Sequence, residues 1–286
     1  MAIAKELWTA MILEGLIPET SFMSESRDLS EFVEYNKLHL AEAGVDPEVL
    51  IDNTSFPVPM AQREDIPKEL VLHTFDTKNT VVRNVEEKES AYNKMESVVR
   101  SHRAALLKKE SAYAAYNWCP TEDGIYTPVL STGGATNKSG VKALTFEDLL
   151  NMEAKFRTLD VDMNALVAVL NAQHLADLMA QDMKLYKQIL SDKKVFGFKL
   201  FSYNNLPLFD TTTSKKKAFG ASAGVNDTQA SLFYVKDEVC RAVGDTEVFA
   251  KYKDPEQRGD VIGFQQRFTA LSMRGKFIGS IYSAKP

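Results

Sequence analysis

Residues Glu86 to Asn117 constrain the fold most, because they give the longest helical reading in the chain. They hold neither Gly nor Pro. Tyr92, Val99, Leu106 and Tyr113 recur every seventh position, with Met95, His102, Lys109 and Tyr116 between them, so both sets fall on one helical face. Asn84 followed by Glu87 has the pattern of an N-cap with its returning carboxylate, and Glu86, Glu87 and Glu89 suit the positive end of the helix dipole. Pro120 stops the helix after Trp118 and Cys119. At 1.5 Å per residue the helix is roughly 45–50 Å long. That length suits a beam to which other parts of the subunit attach.

What precedes the beam is acidic and extended. Up to Leu50 there are three basic residues, Lys5, Arg27 and Lys37, against ten acidic ones. Ile3, Leu7, Ala10 and Met11 mark a short amphipathic helix, widened by Trp8, Ile12 and Leu13 and ended by Gly15 and Pro18. The residues that follow read as extended or irregular and carry scattered large apolar groups. Such a segment makes a poor core of its own and is expected to pack on another subunit. Phe56-Pro57-Val58-Pro59 and Asp65-Ile66-Pro67 hold the backbone extended. Glu69 to Val85 alternates and is rich in β-branched residues, which predicts a long strand leading straight into the helix.

Beyond the helix the pattern is mixed α and β. Thr145 with Asp148 predicts a capping box opening a helix that ends near Arg157. Asn164 to Asn171 predicts a buried strand, and Ala172 to Gln181 a helix with Leu175, Leu178 and Met179 inward. Gly197 to Tyr203 and Ser231 to Val235 read as strands, Lys236 to Ala242 as a short helix, and Lys215 to Lys217 as a solvated loop. Glu247 to Lys253 turns at Asp254 to Asp260. Ile262, Phe264, Phe268 and Ala270 then alternate with polar residues as a half-buried strand, and Phe277 to Tyr282 forms the last one.

Composition excludes several functions. The chain of 286 residues is 44% hydrophobic and 26% charged, an ordinary globular balance. Its net charge of −5 lacks the Lys and Arg surplus that tight phosphate binding requires. No run of about 18 apolar residues spans a membrane, and residues 1–18 lack the basic and apolar regions of a signal peptide. Cys119 and Cys240 read as buried thiols of a reducing compartment.

Motifs for chemistry are sparse. Thr132-Gly133-Gly134-Ala135-Thr136-Asn137-Lys138-Ser139 invites a phosphate-loop reading, but Asn137 and Thr132 stand where that loop needs glycines. A nucleotide-binding enzyme using the Gly133-Gly134 loop is the alternative from another functional class. His39, His73, His102 and His174 have no metal-ligand spacing. Asp160 and Asp162 read as a solvated turn rather than a carboxylate pair, and Tyr92, Tyr113 and Tyr116 as packing residues rather than base-stacking ones. No residue receives a catalytic, cofactor-binding or metal-ligating role.

The order of these segments resembles the major capsid proteins of tailed phages, the fold named after phage Hong Kong 97. The most telling stretches are Gly197-Phe-Lys through Asn205-Leu206-Pro207 and Asp254-Pro255 through Gly259-Asp260-Val261-Ile262. The resemblance implies an α+β fold with an N-terminal arm (1–30), an extended β-hairpin loop (31–85), and a peripheral domain (86–160) with its spine helix (86–117). An axial domain (161–245) and return strands of the peripheral domain (246–286) complete it. It implies a shell subunit rather than an enzyme, without a cofactor. Its partners would be itself, as hexamers and pentamers, together with a portal, a separate scaffolding protein and decoration proteins. Packaged DNA would be touched non-specifically at most. The expected location is a virion capsid assembled in the bacterial cytoplasm. An encapsulin-type nanocompartment shell shares the same fold and is the nearer alternative. Some relatives link subunits through a Lys and an Asn; Lys37, Lys68 and Lys78 lie in the loop region, but no partner Asn is identifiable, so that chemistry is not carried over.

Overall fold

The computed structural model describes residues 21–34, 36–42, 52, 54, 66–83 and 94–286. Residues 1–20, the tip of the expected hairpin, and the expected N-cap region with Tyr92 lie outside the described residues. Within them the long helix, α1, runs Lys94–Trp118, about 37 Å of beam. It lies against a five-stranded sheet built from β1 (Arg27–Asp28), β5 (His73–Asp76), β6 (Thr80–Arg83), β14 (Val239–Asp254) and β15 (Gly259–Ser272). The long antiparallel ribbon of β14 and β15 is its backbone, with β5 and β6 both paired to β15.

The second body is an eight-stranded sheet. It holds β7 (Val129–Ser131), β8 (Leu166–Leu170), β9 (Lys194–Val195), β10 (Phe198–Ser202), β11 (Leu208–Asp210), β12 (Lys215–Lys216), β13 (Asp227–Val235) and β16 (Ile278–Tyr282). Three helices belong to this body: α2 (Phe146–Arg157), α3 (Ala172–Gln181) and α4 (Met183–Asp192). Both faces of β8 are covered, so all five of its residues are buried and it reads as an unbroken apolar run. The expected capping box is present: Asp148 N–H donates to Thr145 Oγ1 at 3.1 Å, and Thr145 N–H to Asp148 Oδ2 at 2.9 Å. A small sheet of β2 (Val33–Glu34), β3 (Lys37–Glu42) and β4 (Ile66–Val71) forms the hairpin base.

One apolar cluster joins the two bodies. The last turns of α1 supply Ala114, Ala115 and Trp118; the eight-stranded sheet supplies Val167, Leu232 and Tyr234; the five-stranded sheet supplies Val239, Phe268 and Ala270. Trp118 packs on Tyr234 with ring centroids 5.3 Å apart and donates through Nε1 to Cys240 O at 3.2 Å. Burying such a side chain contributes about 2–3 kcal/mol.

Several sequence expectations are corrected by tertiary contacts. Residues 21–30 are not a free arm. Phe22 and Met23 are buried in the subunit's own core, and Tyr234 Oη donates to Phe22 O at 2.8 Å. Arg241 donates to Met23 O, Ser26 O and Ser26 Oγ at 2.5, 3.1 and 2.8 Å and pairs with Asp28. Among the described residues the expected single strand 69–85 is three strands, β4, β5 and β6, and between the first two the chain changes sheets at Leu72. The Leu72 N–H donates to Asn36 O at 3.1 Å while its side chain is buried with Leu29, Leu38, Cys240 and Ala242. Gly244 makes room for this crossing, since a Cβ there would lie 2.7 Å from Leu72 Cδ2.

The helix expected at Lys236–Ala242 is one 3-10 turn, Lys236–Glu238, after which β14 begins. Pairing with β15 overrides the weak local preference of that stretch. The expected closing strand joins the other sheet: β16 pairs with β13 and β7, not with β15. Likewise α2, placed by sequence in the spine helix's domain, packs Leu149, Met152 and Phe156 against the eight-stranded sheet. Met179, expected inward, is exposed, while Leu178 is buried.

Candidate functional site

The sequence offered one loop for chemistry, and its polar groups are committed to the chain itself. The Gly133 N–H donates to the Asp148 carboxylate at 3.2 Å, and the Gly134 N–H to Ala143 O at 3.2 Å. Thr132 Oγ1 donates to Lys142 O at 2.8 Å, and Asn137 Nδ2 to Asp177 Oδ1 at 3.0 Å. A phosphate cradle needs free N–H groups converging on an anion. Here the leading glycine already faces a carboxylate, which would repel one, so these residues do not fit a nucleotide.

His174 lies in a constellation that sequence spacing did not reveal. Its Nδ1 is 2.6 Å from Ser231 Oγ and its Nε2 2.8 Å from Ser283 Oγ. A Ser–His–acid relay would need a carboxylate on the second ring nitrogen. Both nitrogens here meet serines, and all three residues are buried. The nearby Asp177 accepts instead from Asn137, Gln173 and the Leu144 N–H. Desolvation lowers the imidazole pKa to about 4, with Asp177 opposing weakly, so the ring is neutral at ordinary pH. It rivets α3, β13 and the segment after β16 together. Cys119, the thiol at the end of α1, is buried and its pKa is pushed up to about 12 by desolvation, so it stays protonated and unreactive.

Of the three lysines expected in a solvated loop, Lys216 acts on the spine helix. Lys216 Nζ donates to Tyr116 O at 2.9 Å and Cys119 O at 2.5 Å and sits 4.3 Å from the centroid of the Tyr116 ring. A cation there satisfies carbonyls that the last helical turn leaves free and complements the dipole. Lys215 pairs with Glu122 and Lys217 with Asp227, both at 2.6 Å.

The spine's buried face drifts from the one expected. Val99, His102 and Leu106 are buried, but Lys109 is exposed and Glu110 is buried in its place. Tyr113 and Tyr116 are half-buried packing residues, both in edge contact with Phe219. The helix and β15 run side by side: His102 lies 5.2 Å from the Phe264 ring, and Asn117 Nδ2 donates to Ala270 O at 2.8 Å. Between these two contacts fall Glu110 and Gln266, both wholly buried, with their carboxylate and amide atoms unpartnered. Burial alone raises the Glu110 pKa to about 7.

Surfaces suited to subunit contacts lie at three places. Phe32 and Val71 are exposed at the hairpin base. On β14, strand β1 covers only Cys240 and Arg241; among the described residues the outer edge from Thr246 to Asp254 has no partner strand, and Phe249 on it is 51% exposed. On the helical side of the eight-stranded sheet, Leu150, Met179, Met183 and Leu190 are exposed together with Phe196. An open edge and scattered large apolar groups on three sides are hazards for a lone molecule and usual features of one that associates. Among the described residues, no helix is long and apolar enough to cross a membrane.

No known family model matches this sequence, and no curated protein matches it. Solved structures do. The chain is similar to the capsid of Ralstonia phage GP4, with a TM-score of 0.68, 8% identity, and coverage of 93% of this chain and 89% of that one. It is similar to the capsid of a native GTA particle, with a TM-score of 0.64, 11% identity, and coverage of 93% and 90%. It is also similar to the virus-like particle from Pyrococcus furiosus, with a TM-score of 0.60, 12% identity, and coverage of 97% and 99%. The chain therefore has the α+β Hong Kong 97-type capsid fold that its segment order suggested.

Proposed function

We propose that this chain is a structural subunit that self-assembles into an icosahedral shell, and specifically a major capsid protein of a tailed bacteriophage. The observation that carries the reading is the agreement of 93% of the chain with the capsid of Ralstonia phage GP4. The paired strands β3 and β4, the open edge of β14 and the exposed apolar groups on the helical side give such a subunit several different contact faces. A shell closed by symmetry needs faces of that heterologous kind. In this reading the subunits form hexamers and pentamers in the bacterial cytoplasm, with a portal, a separate scaffolding protein and decoration proteins. The net charge of −5 suits a container that holds DNA without gripping it.

Strand membership supports redrawn domain limits. The axial domain takes residues 119–235 with the returning β16, and the peripheral domain takes α1 with β5, β6, β14 and β15. A second reading, an encapsulin-type nanocompartment, is favoured by the likeness to the Pyrococcus furiosus particle over nearly the full length of both chains. Electron cryo-microscopy of particles from native material tests both. Closed shells with DNA and a portal at one vertex are expected. Closed shells filled with a cargo protein would select the second reading. Compact monomers under every assembly condition would sink both.

A further inference from the structure

The seam between α1 and the β14–β15 ribbon is layered, with a step of four residues on the helix and two on each strand. Four helical residues advance about 6 Å and two strand residues about 7 Å, so the layers stay in step. One layer holds Leu106, Phe264 and Val248. Another holds Ala114 and Phe268, with Val243 packed against the same cluster. Val248 is paired with Phe264 and Val243 with Phe268. Between these two apolar layers come Glu110, Gln266 and Thr246, the last two paired with each other. Paired residues share a face of the sheet, and Gln266 lies between Phe264 and Phe268 on the face turned to the helix.

This middle layer is polar throughout and closed to solvent. Glu110 and Gln266 are wholly buried. The Glu110 carboxylate oxygens, the Gln266 amide atoms and Thr246 Oγ1 are each buried without a hydrogen-bond partner. The charged groups on the surrounding elements are turned elsewhere. On α1, Lys109 is exposed, while His102 and the half-buried Arg103 lie about two turns earlier. On β14, Asp245 and Glu247 flank Thr246 and are exposed. On β15, Arg267 belongs to the other face of the sheet. Strand β5 sets Phe75 beside Gln266 and leaves Asp76 exposed. The nearby Tyr203 hydroxyl donates to Lys108 O. Burial is accordingly the one cause that raises the Glu110 pKa to about 7.

We propose that this layer is a proton-operated lock. With Glu110 in its acid form it holds the middle of the spine helix on the ribbon, and release of that proton to water frees the helix there. The acid form supplies a donor that Gln266 Oε1 or Thr246 Oγ1 can accept. The ionised form is an uncompensated buried charge, which the seam relieves by admitting water. The lock belongs to the single subunit and goes beyond the shell reading. Hydrogen exchange of the full chain, followed by mass spectrometry and corrected for its intrinsic pH dependence, tests it at pH 6 and pH 8.5. Peptides from residues 104–115 are expected to exchange several-fold faster at the higher pH. Low urea should leave that faster exchange unchanged, because opening confined to the seam exposes little surface. Glu110→Gln should remove the difference between the two pH values. Equal native rates, a steep dependence on urea, or an acceleration that survives Glu110→Gln would each overturn the lock. Infrared spectra of the native chain give a second readout that needs no variant. A protonated carboxylic acid band at pH 6 that disappears by pH 8.5 is expected, and its absence would overturn the proposal.

Discussion

Two buried titratable groups pull the pH response of the folded subunit in opposite directions. Glu110 titrates at about 7 in the fold against 4.5 unfolded. Its favourable contribution is present below 4.5 and is lost as pH rises to 7, because the fold holds a proton that the unfolded chain has released. At about 1.4 kcal/mol per unit the loss approaches about 3 kcal/mol. Glu110→Gln is therefore expected to leave the Tm unchanged at pH 4.5 and to raise it by several degrees at pH 8, as read by calorimetry. An unchanged Tm at pH 8 would mean the carboxylate finds solvent. His174 titrates at about 4 in the fold against 6.5 unfolded, so its contribution is complete above 6.5 and is lost as pH falls toward 4. In the native chain the two slopes oppose each other between pH 4.5 and 6.5. In Glu110→Gln the histidine slopes remain, that of His174 and, in the same direction, that of His102, whose pKa burial also lowers, so urea midpoints of that variant should fall across this window on acidification. A flat profile would show that His174 is not held neutral. Neither group was legible in the sequence. The heptad pattern pointed to Lys109, and a register one residue away decides which side chain faces β15.

At the scale of elements, the spine helix and the β14–β15 ribbon make separate predictions. Lys216 lies on β12 and caps carbonyls of α1 a hundred residues away in sequence. Lys216→Met should cost about 1–2 kcal/mol through the lost charge-assisted bonds, measured as a lower urea midpoint with an unchanged m-value. A midpoint equal to the native one would make the contact incidental. Phe249 stands on the open edge of β14, so its replacement touches little of the subunit's own core. Phe249→Asp is expected to keep subunit melting within about 0.5 kcal/mol of the native chain while shells form less completely in sedimentation. Normal assembly would remove that edge from the contact surfaces. The pairing of β14 with β15 was only half visible in the sequence. Alternation at Ile262, Phe264, Phe268 and Ala270 marks one strand clearly. The start of its partner at Val239 depends on pairing with Leu271 and Ser272 that no local pattern encodes.

For the whole molecule, residues 21–30 pack within the subunit's own body. Phe22 and Met23 fill the cluster that joins the two sheets, and Arg241 grips the backbone that follows them. Removal of residues 1–30 should thus abolish cooperative melting of the subunit. Removal of residues 1–20 should preserve it, with both outcomes read by circular dichroism. Phe22→Ala alone should cost about 3–5 kcal/mol. Equal melting of the two truncated chains would return residues 21–30 to the arm.

The sequence by itself determined the long helix, the capping box at Thr145 and Asp148, the buried β8 and the order of segments that identifies the fold class. Those features rest on interactions between residues near in sequence, so periodicity and cap chemistry expose them. Tertiary structure alone decided that the chain changes sheets at Leu72, that β16 returns to the eight-stranded sheet, that Lys216 caps the spine and that Glu110 lies buried beneath it. Each of these depends on which distant surface a residue meets. The free energy of burying or pairing it there exceeds the few tenths of a kcal/mol by which local preference would have placed it elsewhere.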